Sequence, residues 1–165
     1  MNAIWKPIRL IITAVALLGT GAAWSQGPQP SKEACAFSVA ELEGTLNLKL
    51  NEGRGFESAF AGGKSLTCTY SGKGLHGVTL QQTRMDKPGA LTAEFDRFAA
   101  GSMEPIAADA DKARWQVGQG DLSNVTLHYL RKEVQTQLRV SGVNMKNPTE
   151  VSAMRARVLK LRRLP

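Results

Sequence analysis

The chain is 165 residues long, with 21 basic and 14 acidic residues, a formal charge of +7 and 2 cysteines. The length suits one domain of ordinary size that buries its own core. No apolar span follows the N-terminal one, which excludes a second membrane crossing. The moderate positive charge favours anionic partners such as phospholipid headgroups, cell-wall polymers or an acidic protein, and plain solubility accounts for it as well.

Residues 1–25 read as an export signal. Lys6 and Arg9 form the basic start, Ile8 and the run from Leu10 to Leu18 form the apolar middle, and Gly19, Thr20 and Gly21 end it. Ala23-Trp24-Ser25 places small residues where a signal peptidase reads them, so cleavage is expected before Gln26. The apolar run is short for a transmembrane helix, and an uncleaved N-terminal anchor is the alternative. No cysteine stands at the cleavage point, which argues against a lipid anchor. Lys6 and Arg9 leave with the signal and no acid does, so +5 remains. The expected location is the periplasm or the outside of the cell, soluble after cleavage. Nucleic acid is not an expected partner there.

Cys35 and Cys68 both remain in the mature chain. Two cysteines in an oxidising compartment are expected to form one disulfide. On chain-entropy arithmetic a loop of that length stabilises the fold by roughly 3–4 kcal/mol.

In chain order, residues 26–33 are a polar, proline-containing lead-in to a single domain over 34–165. Ser38-Val-Ala-Glu41 fits a capping box, with Phe37 and Leu42 placed for a hydrophobic staple. Val39, Leu42 and Leu46 recur at helical spacing, and this first helix is expected to end near Asn47. Residues 51–65 contain four glycines and read as a loop with a short extended piece. Leu66, Cys68 and Tyr70 then alternate with Thr67, Thr69 and Ser71, and Val78 and Leu80 with Thr79 and Gln81. Ser71-Gly-Lys-Gly74 supplies a turn between them, so the pair reads as a hairpin.

Lys87-Pro88-Gly89 breaks the chain before a second helix, marked by Leu91, Phe95 and Phe98 and stopped at Gly101. Ile106 to Ala113 is expected to add a helical turn, Trp115 and Val117 to begin a strand, and Gly118-Gln-Gly-Asp121 to turn tightly. A second hairpin follows. Val125, Leu127 and Tyr129 alternate with polar neighbours, and Val134, Thr136, Leu138 and Val140 continue after a turn near Arg131-Lys-Glu133. Gln135, Gln137 and Arg139 give the sheet one wet face. Asn147, Pro148 and Glu150 suit the cap, first and third positions of a last helix, with Val151, Met154, Val158 and Leu161 as its apolar stripe. The order helix, hairpin, helix, hairpin, helix predicts an α+β domain, with a mainly antiparallel sheet built from two hairpins and helices packed on one face.

No residues form a catalytic set. Gly62-Gly-Lys-Ser65 ends like a phosphate loop, but Ser58 stands where the pattern needs glycine, so it reads as a solvated turn. His76 and His128 share no metal-ligand spacing, and the cysteines are committed to each other, so no metal site is expected. His76 falls in a glycine-rich turn and His128 in a strand's polar register, and both are expected at the surface. A Cys–His nucleophile needs a thiolate, which a disulfide removes. Glu94, Asp96, Asp109, Asp111 and Asp121 show no spacing that pairs an acid with a base. Ser65, Ser71 and Ser123 lie in no nucleophile elbow. No enzyme activity and no cofactor are expected; an enzyme would need a polar cluster such as His128 with Asp121 or Glu133.

Arg155, Arg157, Lys160, Arg162 and Arg163 load the second half of the last helix. They read either as a docking surface for an anionic membrane or an acidic protein, or as charges that complement the helix dipole on a core-packed helix. They lie both beside and opposite the apolar stripe.

Cys35-Ala-Phe-Ser-Val-Ala-Glu-Leu42, Cys68-Thr-Tyr70, Val78-Thr-Leu80 and Gly118-Gln-Gly-Asp121 before a last hairpin and helix make a familiar layout. It resembles small exported bacterial proteins of unknown function, often lipoproteins, with a PsbP-like α+β sandwich. The resemblance spans most of residues 34–164, and the chain departs from it by lacking a lipobox cysteine. It implies a non-catalytic binding or accessory role and carries over no functional residue. The expected function is therefore that of an exported binding or accessory protein of the envelope, acting through its sheet face or the groove beside it. The alternative is a secreted inhibitor or immunity-type protein that binds an envelope-acting enzyme through a protruding loop at 51–65 or 102–124.

Overall fold

The computed structural model describes residues 27–116 and 123–165. The expected export signal and the turn over 118–121 lie outside them. Ser38 caps the first helix, Val39–Leu46 (α1), by accepting from the Glu41 N–H at 3.1 Å. Only this half of the capping box forms, because the Glu41 carboxylate turns to Arg162 at 3.0 Å. Asn47 ends α1 in the left-handed region, at φ 56°, and returns its N–H to the Glu43 carbonyl.

A short strand, Gln29–Pro30 (β1), precedes α1. Arg54–Phe60 (β2), Gly63–Ser71 (β3) and Gly77–Met85 (β4) then form an antiparallel meander. After Ala90–Ser102 (α2) comes a second meander of Met103–Pro105 (β5), Arg114–Gln116 (β6), Asn124–Arg131 (β7) and Val134–Ser141 (β8). Pro148–Val158 (α3) follows, capped by the Asn147 side chain. The meanders join along β4 and β8 in an 8-stranded antiparallel sheet of order β1-β2-β3-β4-β8-β7-β6-β5. The fold is α+β, and the sheet is larger than two hairpins. The hairpins β3–β4 and β7–β8 are embedded in it.

Two segments differ from their sequence reading. The extended piece expected within residues 51–65 is a full strand, β2, and β3 begins at Gly63, so only 51–53 and 61–62 lie outside strands. The glycines there serve close approach. A Cβ on Gly53 would lie 2.6 Å from the Cys68 Sγ, and one on Gly55 would lie 2.0 Å from the Ser31 carbonyl oxygen. Residues 106–113 are not helical. Asp109 Oδ1 accepts from the Asp111 and Ala113 N–H groups at 2.9 and 3.3 Å, and Ala108 and Lys112 have positive φ. An aspartate that bonds nearby backbone amides favours a turn over a helix.

Cys35 and Cys68 form the disulfide, with Cα atoms 5.0 Å apart and a sequence separation of 33. It ties the entry of α1 to β3. Tyr70, Val78, Leu80, Leu127, Leu138 and Val140 are among the buried residues on this first face of the sheet. α1 and α3 touch each other, and α3 lies against β7. The Tyr70 hydroxyl, buried between them and the sheet, donates to the Phe37 carbonyl at 2.6 Å. The helices do not share one face. Arg114 pairs in register with His128, on the side opposite Trp115 and Leu127, and its guanidinium lies 5.0 Å over the ring of Phe95 in α2. Part of the second face is therefore roofed by α2.

Candidate functional site

Four of the five basic residues expected on the last helix are engaged by groups of their own chain. α3 stops at Val158, so Lys160, Arg162 and Arg163 lie beyond it, in the segment that buries Leu161 and Leu164. Arg155 reaches Glu104 at 2.8 Å and lies 5.2 Å over the Trp115 ring. Arg157 donates to the Leu46 carbonyl at 3.4 Å. Arg162 binds Glu41 and the Ala36 carbonyl and lies 5.1 Å over the Phe37 ring. Arg163 reaches Asp109 at 2.8 Å and lies 4.6 Å over Tyr129. Each arginine commits its guanidinium to a carboxylate, a carbonyl or a ring of its own chain. Lys160 alone of the five is exposed without an ion pair among the described residues.

Two further cations without carboxylate partners among the described residues, Arg54 and Arg139, lie on the sheet. Strand alternation puts Arg54, Phe56, Ser58 and Phe60 of β2 on the second face. Register sets them in rows. One row runs Arg54, Thr69, Thr79, Arg139, and the next runs Phe56, Thr67, Gln81, Gln137. Arg54, Thr69 and Arg139 are exposed, and Thr67, Thr79, Gln81 and Gln137 are half-buried. Phe56 is 41% exposed and Phe60 40%. Neither row holds a carboxylate, and neither Arg54 nor Arg139 has an ion-pair partner among the described residues. The Gln81 amide donates to the Ser65 hydroxyl at 3.2 Å. Hydroxyls and amides both donate and accept, so this face can bond a ligand in both directions, with a cation at each end of its first row.

His128 continues the second row but is not at the surface as its register suggests. It is 6% exposed. Its Nε2 lies 3.3 Å from the Gln116 Oε1, and its Nδ1 has no partner among the described residues. Burial, and secondarily the charge of Arg139, push its pKa down to about 4. The imidazole is therefore neutral near pH 7. Of the acids the sequence offered as its partners, Glu133 instead accepts from the Gly89 N–H at 2.9 Å, and Asp121 lies outside the described residues. Asp96 is held by Lys112 at 3.0 Å and Arg114 at 3.3 Å; the Lys112 hydrogen bond is the main cause that keeps its carboxyl below the usual range. His76 is exposed in the β3–β4 turn.

Among the described residues no group of three His, Cys, Asp or Glu could hold a metal ion, and no helix is long and apolar enough to cross a membrane. A hollow of about 10 Å³ among Phe37, Leu80, Leu127 and Tyr129 belongs to the core. Larger concavities of about 260 Å³ beside Lys64, Gln82 and Arg84, and about 520 Å³ beside Cys35, Glu52 and Gly53, lie off the second face and bring no histidine to a carboxylate.

Sequence reading missed Arg54, Phe56 and Phe60 because they sit in the segment taken for a loop. The alternation of Phe56, Ser58 and Phe60 is the signal that could have found them. No protein-family model, no curated protein and no solved structure matches the chain.

Proposed function

We propose that the protein is an exported, non-catalytic binding or accessory protein of the cell envelope that works through the open part of its sheet face. The observation that carries this reading is the row of Arg54, Thr69, Thr79 and Arg139 with Phe56 beside it, where two exposed cations keep no carboxylate of their own among the described residues. The Cys35–Cys68 disulfide and the basic, apolar and small-residue pattern over 1–25 support export. The resemblance to exported proteins with a PsbP-like fold agrees with an accessory role.

A second reading, a secreted inhibitor or immunity-type protein that binds an envelope-acting enzyme, draws on Leu75. It is 82% exposed in the β3–β4 turn, beside Lys73 and His76. Photo-cross-linking in the native envelope separates the two, with p-benzoylphenylalanine placed at Thr67, Leu75 or Ser152. Adducts from position 67 are expected, with few from position 152 on the exposed side of α3. Adducts from position 75 alone would favour the second reading, and equal yields from all three would overturn the first.

A further inference from the structure

We infer that the open face takes an extended acidic polysaccharide, a glycan chain that bears carboxylates. The inference rests on the reading of that face as the binding surface. Its sign comes first. Arg54 and Arg139 are exposed, and no acid stands between them on the row they share. Planar guanidinium groups match carboxylates in bidentate fashion. Arg155, Arg162 and Arg163 cannot take this role without leaving Glu104, Glu41 and Asp109 unpaired.

Length comes second. Arg54 and Arg139 stand three strand spacings apart, about 14 Å at the sheet. One small anion cannot bridge that distance, whereas a chain laid across the strands can. What lies between the arginines then selects the chain. Thr69 and Thr79 fill the row, and Thr67, Gln81 and Gln137 fill the next one. Each of these side chains both donates and accepts, as the hydroxyls of a sugar do.

Other anionic occupants fit less well. An acidic peptide that adds to a sheet uses free backbone groups, but β3, β4 and β8 are paired on both sides. An anionic membrane calls for a continuous apolar wedge. Phe56 and Phe60 stand about 13 Å apart along the strand, with Ser58 between them. A second copy of the same face would set arginine against arginine.

The test uses the mature, disulfide-bonded protein and isothermal titration. The probes are oligogalacturonate, a neutral galacto-oligosaccharide of equal length, a polyglutamate peptide and vesicles containing anionic phospholipid. Oligogalacturonate is expected to bind, more weakly as salt is raised. Arg54→Gln and Arg139→Gln are each expected to weaken it about fivefold, and the double variant more than either. Lys160→Gln should bind as the parent does. Amide NMR shifts in the parent protein supply a readout that needs no variant, and they are expected to concentrate at Thr69, Thr79 and Gln81. The proposal is overturned if oligogalacturonate does not bind, if the double variant binds it as well as the parent, if the shifts gather elsewhere, or if the peptide or the vesicles bind more tightly. Position 67 cross-linking to an envelope protein while oligogalacturonate fails would leave the binding surface standing and remove the glycan.

Discussion

The guanidinium of Arg163 lies 4.6 Å over the ring of Tyr129. It also reaches Asp109 Oδ2 at 2.8 Å, while Oδ1 of the same aspartate holds the turn between β5 and β6. The Tyr129 hydroxyl in turn accepts from the Leu164 N–H at 2.9 Å. The pair thus joins β7, the β5–β6 turn and the segment after α3. The Arg163 and Asp109 side chains are 17% and 16% exposed, so the ion pair is mostly desolvated. Arg163→Met strands the Asp109 charge and should cost about 2–3 kcal/mol. Arg163→Lys keeps the charge but loses the planar stack, and about half of that cost is expected. Arg162→Gln, at a side chain 53% exposed, should cost about 1 kcal/mol or less. Urea unfolding measures all three, and equal losses at 162 and 163 would contradict the assignment.

His128 gives the fold a pH dependence with a definite sign. Its pKa falls from 6.5 to about 4 on folding, so between those values the unfolded chain binds the extra proton. Stability is then full above pH 6.5 and declines as the pH drops towards 4, by up to about 3 kcal/mol. The charged groups near the ring are Arg114, its register partner, Arg139 across the β7–β8 pair, and Asp96, which is bound to Arg114. None of these rescues the imidazolium. Glu43 and Asp96 also lose stability on acidification, but they do so below their ordinary values of 4.5 and 3.8, because the Leu50 N–H and the Lys112 hydrogen bond lower them. The window from pH 6.5 to 5 therefore isolates the histidine. His128→Gln should flatten the stability profile there; the same slope in parent and variant would sink the account.

Gly53 and the disulfide should be energetically coupled. A Cβ at position 53 meets Cys68 Sγ and Tyr70 Cε1 at 2.6 Å and Cys35 Sγ at 2.9 Å. Gly53→Ala should destabilise the oxidised protein by about 2–3 kcal/mol through overpacking. Replacing both cysteines with alanine should itself cost roughly 3–4 kcal/mol. In that background two of the three clashing atoms are gone, so Gly53→Ala should cost at least about 1 kcal/mol less. Strict additivity in the four-protein cycle would show that the strand does not press on the sulfurs.

Local chemistry made much of this fold legible. Ser38 and Asn147 cap their helices where the sequence places them, and Cys35 meets Cys68. The alternation around Cys68 and Leu127 marks strands that form. What escaped depends on contacts distant in sequence. Gly53 and Gly55 look like loop residues until the disulfide they pass over is in place. The register of His128 is that of a wet face, yet the residue is buried, and its register partner Arg114 lies over Phe95 of α2. The arginines at 155, 162 and 163 look like a free basic surface because their partners Glu104, Glu41 and Asp109 lie 51, 121 and 54 residues away. Arg54 and Arg139 become a pair only once four strands are aligned.

In the division of labour we propose, the open sheet face meets the partner and the basic segment after α3 holds the domain together. The most direct measurement is cross-linking yield from p-benzoylphenylalanine at Thr67, read against the urea midpoint in two double variants. Arg54→Gln with Arg139→Gln should abolish most of the adduct and leave the midpoint unchanged. Arg162→Gln with Arg163→Gln should lower the midpoint and leave the adduct intact in the folded protein. The opposite pattern, with adduct lost through the α3 segment and stability lost through the open face, would contradict the account.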